Sequence, residues 1–164
     1  MSHHFSLSVI DAQQWRRWKA IRLAALAEAP YAFGSTYEEA LTFTNEDWQS
    51  HFNRGPYLIA QQEQSDVGVV RLAPGDEPHV WWLYSLWVAP VARGTGLVEQ
   101  LLAMAEEIAR RNGAAELRLD VARGSVRALA AYRRNGYAAL SSSEGSEDHE
   151  EIVMQKDLYA TSST

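Results

Sequence analysis

The stretch Ser85-Leu86-Trp87-Val88-Ala89-Pro90-Val91-Ala92-Arg93-Gly94-Thr95-Gly96-Leu97-Val98-Glu99-Gln100-Leu101-Leu102 decides how the chain is read. An apolar run rich in aromatic and β-branched residues stops at Pro90, crosses an Arg-Gly-Thr-Gly loop, and resumes with Leu97, Leu101, Ala105 and Ile108 at helical spacing. The pattern predicts strand, glycine loop, helix. Glycines at 94 and 96 let backbone N–H groups approach a ligand without a Cβ in the way, and the helix start adds unpaired donors and the positive end of its dipole. Such a turn suits an anion, most often phosphate, although a tight strand-to-helix turn also requires glycine for steric reasons alone. No Lys-Ser/Thr pair follows the second glycine, so the loop is not a Walker A, and Glu99 stands where a dinucleotide fingerprint needs its third glycine.

The composition bounds the rest. With 164 residues, 46% hydrophobic and 22% charged, the chain fits one soluble globular domain with a substantial core. The absence of cysteine excludes disulfides, thiolate metal sites and a cysteine nucleophile. A net charge of −6 argues against nucleic acid as the main partner and mildly favours a cationic acceptor such as an amine. There is no long apolar run and no charged-then-apolar leader, so neither a membrane nor secretion is indicated and a cytoplasmic location is expected.

Upstream of the loop, Phe5, Leu7 and Val9 alternate with Ser6 and Ser8 as a half-buried strand, after a tail (1–4) that is expected to be flexible. Asp11 and Gln14 form a capping-box pattern, and Trp15, Trp18, Ile21 and Ala25 keep to one helical face until Pro30. An aromatic, turn-rich segment carrying Tyr31 and Phe33 leads to a short helix near Thr36 to Leu41, and a second begins at Thr44 or Asn45 with Trp48 and Phe52 one turn apart. The aromatic segment is either a plug over the core or a lid on an acceptor site, with Glu28, Glu38 and Glu39 at hand. Tyr57 to Gln61, Val67 to Leu72 and Val80 to Val88 read as an antiparallel meander, with Pro74 to Pro78 as a turn. Trp81, Trp82, Tyr84 and Trp87 crowd its last strand, either as sheet packing or as the wall of a pocket or dimer contact.

Downstream, Asn112-Gly113 closes the central helix, and Leu117, Leu119 and Val121 alternate within a strand from Glu116 to Val121 that must pair in parallel with the strand before the loop. Ser125 is placed to cap a helix that runs to Arg134 and closes at Asn135-Gly136, after which Tyr137 to Leu140 and Glu151 to Leu158 form a hairpin. The acidic, serine-rich residues 141–148 between them read as a solvated loop, and 160–164 as a second flexible tail.

In this order the elements resemble the GNAT N-acetyltransferase superfamily over nearly the whole chain. Arg93-Gly94-Thr95-Gly96-Leu97-Val98 is similar to its acetyl-CoA pyrophosphate loop, with Val98 where a small residue is usual. Val121 to Tyr137 resembles its Val-x3-Asn-x2-Ala-x3-Tyr-x3-Gly-Phe segment, with Ser125 in place of asparagine and Tyr137 in place of phenylalanine. Met154 to Leu158 resembles its last strand, and the Trp15-x2-Trp18-x3-Arg22 run is similar to a bacterial subgroup. The resemblance implies one domain over 1–164 with the GNAT fold, an α/β architecture in which a mixed, mostly antiparallel sheet of about seven strands is flanked by helices on both faces.

It also implies direct transfer of an acetyl group from acetyl-CoA to a primary amine through a tetrahedral intermediate, with no metal. The amine belongs to a small molecule or to a protein N-terminus or lysine. Cofactor contacts then fall on Leu86, Trp87, Val88, Arg93, Gly94, Thr95, Gly96, Leu97, Val98, Ser125, Ala128 and Tyr132, with the oxyanion held by backbone N–H groups near Trp87 and Val88. Tyr132 aligns with the general acid. The base is left open among Glu28, Glu38, Glu39 and Asp120, and Tyr31, Phe33, Trp82, Tyr84 and Asp120 are the acceptor-side candidates. A non-catalytic acyl-CoA-binding module with the same fold is the alternative, a nucleotide-binding domain is a weaker one, and the Trp-rich strand or last hairpin offers a surface for a homodimer.

Overall fold

The computed structural model describes residues 4–30, 36–140 and 151–159. Tyr31, Phe33, the acidic 141–148 segment and the 160–164 tail lie outside the described residues, as do the first three of the N-terminal tail.

Asp11 forms the expected capping box: its carboxylate accepts from Gln13 N, and the Gln14 side chain accepts from Asp11 N. It opens a 3-10 turn at Ala12–Gln14 that continues into α1, Trp15–Glu28. Thr36 and Thr44 cap α2 (Tyr37–Leu41) and α3 (Asn45–Ser50) through bonds to the N–H groups of Glu39 and Asp47. A 3-10 turn, His51–Arg54, follows. Strand β1 is Ser6–Ile10, and β2 (Tyr57–Gln62), β3 (Ser65–Pro74) and β4 (Val80–Val88) make the expected meander. After the glycine loop come α4 (Leu97–Arg111), β5 (Glu116–Ala122) and α5 (Val126–Arg134), then β6 (Ala138–Ala139) and β7 (Glu151–Asp157).

Among the described residues seven strands lie in the order β1-β2-β3-β4-β5-β7-β6, and only β4 and β5 run parallel, across the crossover made by α4. Two apolar clusters sandwich the sheet. One packs Leu97, Leu101, Leu102 and Ala105 of α4 and Leu129 of α5 on one face; the other packs Trp15, Trp18 and Ile21 of α1, Ala40 of α2 and Trp48 of α3 on the opposite face. This is the mixed, mostly antiparallel sheet with helices on both sides that the sequence leads one to expect.

Four local readings change. Val9 is 53% exposed while Ile10, at 3%, joins the second cluster, because successive strand residues alternate faces and Ile10 meets the α1 side of the sheet beside Tyr57. The joint between β2 and β3 is tighter than expected, with the strands running on to Gln62 and Ser65 and the reversal made by Glu63 and Gln64, both at positive φ. Only Ala138–Ala139 of the proposed Tyr137 to Leu140 strand pairs with β7. Ser125 occupies the N-cap position of α5 but makes no side-chain cap bond there, since its ψ of 73° departs from extended cap geometry.

Candidate active site

Strands β4 and β5 pair from Val80↔Glu116 to Leu83↔Leu119 and then part company. The cause is visible in β4. Arg71 of β3 faces Tyr84 while Val69 faces Trp87, so β4 carries one extra residue there, and Ser85 sits at φ +59. A bulge of this kind bends its strand and re-aims the residues beyond it. Ala89 N–H donates to Val67 O at 2.8 Å on the β3 side, so by the alternation of an antiparallel ladder the polar groups of Val88 face the edge that β5 has left. There Val88 C=O accepts from Arg93 Nε at 3.0 Å, and its N–H faces the gap.

The gap is part of a cavity of about 540 Å³ that passes from the α1–α3 side of the sheet to α5. Leu83, Tyr84, Ser85, Leu86, Leu119 and Asp120 form its lips; Tyr132 and Glu151 close one end. The other end is walled by Trp18 and Arg22 of α1, Trp48 of α3, His51 and Arg54 of the 3-10 turn, and Arg71 of β3.

At the mouth of the gap lies the Arg93–Val98 loop. Gly94 and Gly96 have φ of +75 and +87, values that favour glycine, and a Cβ at either would meet nothing within 4 Å, so the loop is open above both. Among the described residues no backbone acceptor faces the N–H groups of residues 94–99; the first bond of α4 runs from Gln100 N to Gly96 O. A row of open donors at a helix start fits a diphosphate. Thr95 braces the loop through its hydroxyl to Ala92 O. The Arg93 side chain is turned back, however, with Nη2 on Glu28 Oε2 at 2.7 Å and Nε on Val88 O.

The remaining sequence candidates separate. Glu28 also accepts from Trp87 Nε1 at 2.9 Å, and the Arg93 guanidinium and Trp87 indole together hold its carboxyl below the usual range. Glu38 and Glu39 are exposed in the first turn of α2, away from the cavity. Asp120 lines the cavity, and burial together with the Glu151 charge raises its carboxyl above the ordinary aspartate value. Tyr132 reaches the same space from α5; burial pushes its phenol up to about 12. Tyr84 lines the cavity, whereas Trp82 stacks beside it at 6.5 Å and covers Gly75 instead. Leu86 reaches the cavity; Ala128 packs against the α4-side core.

Arg22, Arg54, Arg71, His51 and Glu151 reach the cavity without having been singled out as site residues. One signal was available: Arg71 interrupts the apolar run Val67-Gly68-Val69-Val70-Arg71-Leu72, where a charge in a central strand needs a reason. Around His51 an aromatic box closes the wall. Trp18 Nε1 donates to His51 Nδ1 at 3.1 Å, which makes the imidazole neutral with its proton on Nε2, and Phe43, Trp48 and Trp18 meet its ring edge-on.

A mixed sheet whose β4 and β5 part beyond their parallel pairing, followed by a loop of open N–H donors, is the arrangement that the sequence resemblance leads one to expect. The sequence pattern of the Acetyltransferase (GNAT) family matches residues 18–137, and the chain belongs to that family. Members use acetyl-CoA as cosubstrate. Mycothiol acetyltransferase of Renibacterium salmoninarum is 23% identical over 136 residues, which are 80% of this chain and 39% of that protein; the chain thus spans about two fifths of its relative. The fold is shared with the PaiA N-acetyltransferase of Thermoplasma acidophilum in complex with coenzyme A (TM-score 0.71, 17% identity, 94% of this chain and 99% of that one). A GNAT-family acetyltransferase of Streptococcus pneumoniae has a TM-score of 0.74 at 16% identity and the same two coverages. Among the described residues no cluster of His, Asp or Glu is arranged to hold a metal ion, and no helix is long and apolar enough to cross a membrane.

Proposed function

We propose that the protein acetylates a primary amine by direct transfer, with the amine entering from the α1–α3 side and coenzyme A from the loop side. The observation that carries this reading is the cavity itself, which connects an acceptor-sized space to Tyr132 through the place where β4 and β5 part. Bound acetyl-CoA would supply an acetyl thioester. Backbone N–H groups of residues 94–98 bind the diphosphate, and Arg93 supports the loop through its tie to Glu28 and Val88. The Val88 N–H, facing the gap, stabilises the negative charge that develops on the carbonyl oxygen.

Asp120 accepts the ammonium proton, a role its raised carboxyl suits better than an ordinary aspartate would. The amine nitrogen then adds to the carbonyl carbon, and as the tetrahedral adduct collapses the C–S bond breaks and the surplus proton on nitrogen passes to the departing sulfur, leaving the amide and a free thiol. Tyr132 keeps its proton at neutral pH and donates a hydrogen bond to the departing sulfur. Glu28, held low by two donors, is not suited to the base role and serves as a tether. The test is thiol release from acetyl-CoA against a panel of amines. Turnover that collapses in Tyr132→Phe with coenzyme A affinity kept supports catalysis; coenzyme A binding with no thiol release from any amine overturns it in favour of a binding module.

A further inference from the structure

Arg22 of α1, Arg54 of the 3-10 turn and Arg71 of β3 converge on the acceptor end of the cavity from three separate elements. Five arginines outside the cavity pair with carboxylates: Arg17 with Asp66, Arg93 with Glu28, Arg118 with Glu77 and Glu116, and Arg110 and Arg111 with Glu107. Arg54 and Arg71 have no carboxylate within ion-pair distance among the described residues. Arg71 lies in register between Tyr57 and Tyr84, with its guanidinium 4.1 Å from the Tyr84 ring centre, so its plane is supported by a π face. The groups that act on it are cations and phenols, not carboxylates. Burial lowers it most, Tyr57 and Tyr84 raise it, and Arg54 lowers it further. Arg22 is brought down to about 10 by burial, with Tyr57 raising it and Arg71 lowering it. His51 between them is held neutral by burial and by the three guanidinium groups.

Desolvated like charges disfavour one another, so the half-buried pair Arg22 and Arg71, with Arg54 at the exposed rim of the same cleft, is stabilised when an anion enters. We infer that the acceptor is a small amine that also carries a carboxylate or a comparable oxyanion, seated on Arg22, Arg54 and Arg71 while its amine reaches Asp120 at the gap. The inference rests on the acetyltransferase reading for the amine but on the arginine cluster alone for the anion. It adds an anionic end to the amine that the net charge of −6 favours, since screening limits distant surface charge to about 8 Å in physiological salt whereas the cavity wall is in contact with its occupant. The occupant is small because the same 540 Å³ also takes the thioester end of the cosubstrate. The two ends of the cavity are complementary to the two ends of such a molecule: cations on the α1 side, Asp120 and Glu151 at the gap.

The experiment compares amino acids with their methyl esters and with aminoalkyl phosphonates as acceptors in the thiol-release assay, and measures thermal shifts with the same compounds. Charge-assisted pairing predicts that kcat/KM for the free acid exceeds that of its ester by about tenfold or more. Arg71→Gln and Arg54→Gln should each raise KM for the acid about tenfold and erode its advantage, with KM for acetyl-CoA unchanged. Arg54 is exposed, so its variant keeps the test alive should Arg71→Gln fold poorly. A phosphonate that outperforms the carboxylate assigns the oxyanion to the phosphate type. Esters that match or exceed the free acids, or an acid preference untouched by both substitutions, overturn the inference while leaving the acetyltransferase reading intact. Thermal stabilisation by the acids that disappears in Arg54→Gln, without thiol release, sustains the anion site and defeats the catalytic reading. Neither stabilisation nor turnover defeats both.

Discussion

Glu28 at the end of α1 and Arg93 at the head of the glycine loop are 65 residues apart in sequence and 2.7 Å apart in space. The same carboxylate oxygen takes the Trp87 indole, so one atom joins α1, the bulged strand β4 and the glycine loop. Both partners are partly exposed, at 32% and 49% of their side chains, so the pair contributes well under about 1 kcal/mol to stability. Its value is positional. Glu28→Gln should therefore raise KM for acetyl-CoA a few-fold, keep kcat within about threefold, and move Tm by no more than about 3 °C. Loss of kcat by two orders of magnitude in steady-state assays would instead make Glu28 the base. The depressed carboxyl sets the pH window: the contribution is complete above the ordinary carboxylate range and is lost only as pH falls through the lower, folded-state value, so the tether is intact at neutral pH.

Tyr132→Phe removes a single oxygen from the cavity while retaining the ring that meets Tyr137 edge-on at 6.0 Å. A hydrogen bond needed only as negative charge gathers on sulfur acts on kcat and not on ground-state binding. Expected is a fall in kcat of about 100-fold or more with KM for acetyl-CoA unchanged and melting within about 2 °C of the parent. An equal rise in KM would mean that the phenol holds the ground state instead.

Much of this architecture is legible because local signals and global packing agree. Asp11 with Gln14, Thr36 and Thr44 announce helix starts that the structure realises, and the Gly94-x-Gly96 turn announces where the parallel pair is crossed. The site is less legible, for three physical reasons. A bulge at Ser85 has no periodic signature, so the split of β4 from β5 is set by register and not by residue type. Glu28 carries nothing in its neighbours to say that Arg93 will meet it, since such a contact is made only by the fold. The arginine cluster draws one member each from α1, a 3-10 turn and β3, so no stretch of sequence holds more than one of them. Net charge could not have located the cluster for the same reason, because a sum over the chain is blind to where charges gather.

Asp120 and Glu151 make a pH prediction. Burial and the Glu151 charge both raise the Asp120 carboxyl, so the acid limb of kcat should lie above the range of an ordinary aspartate, with activity falling as pH drops through it. Glu151→Gln removes the like charge and leaves the burial, which should move that limb to lower pH by a part of the shift. Asp120→Asn should abolish the limb along with about 99% of turnover. A limb that stays in place in Glu151→Gln would assign it to another group; the check is kcat against pH at saturating amine.

Gly96 supplies a case where space and conformation can be told apart. A Cβ there meets nothing within 4 Å, yet φ is +87, so Gly96→Ala costs through backbone strain alone, about 1 kcal/mol, and the loop can relieve it only by rotating its N–H groups off their common direction. The expected result is a Tm lower by about 3 °C together with a rise in KM for acetyl-CoA of about tenfold, kcat being nearly kept. Gly113, which closes α4 at φ +90 with equally open surroundings, is the control: Gly113→Ala incurs the same strain far from the loop and should lower Tm alike without touching KM. If the two variants changed KM equally, the loop donors would have no special claim on the diphosphate, and binding would have to be sought along another edge of the gap.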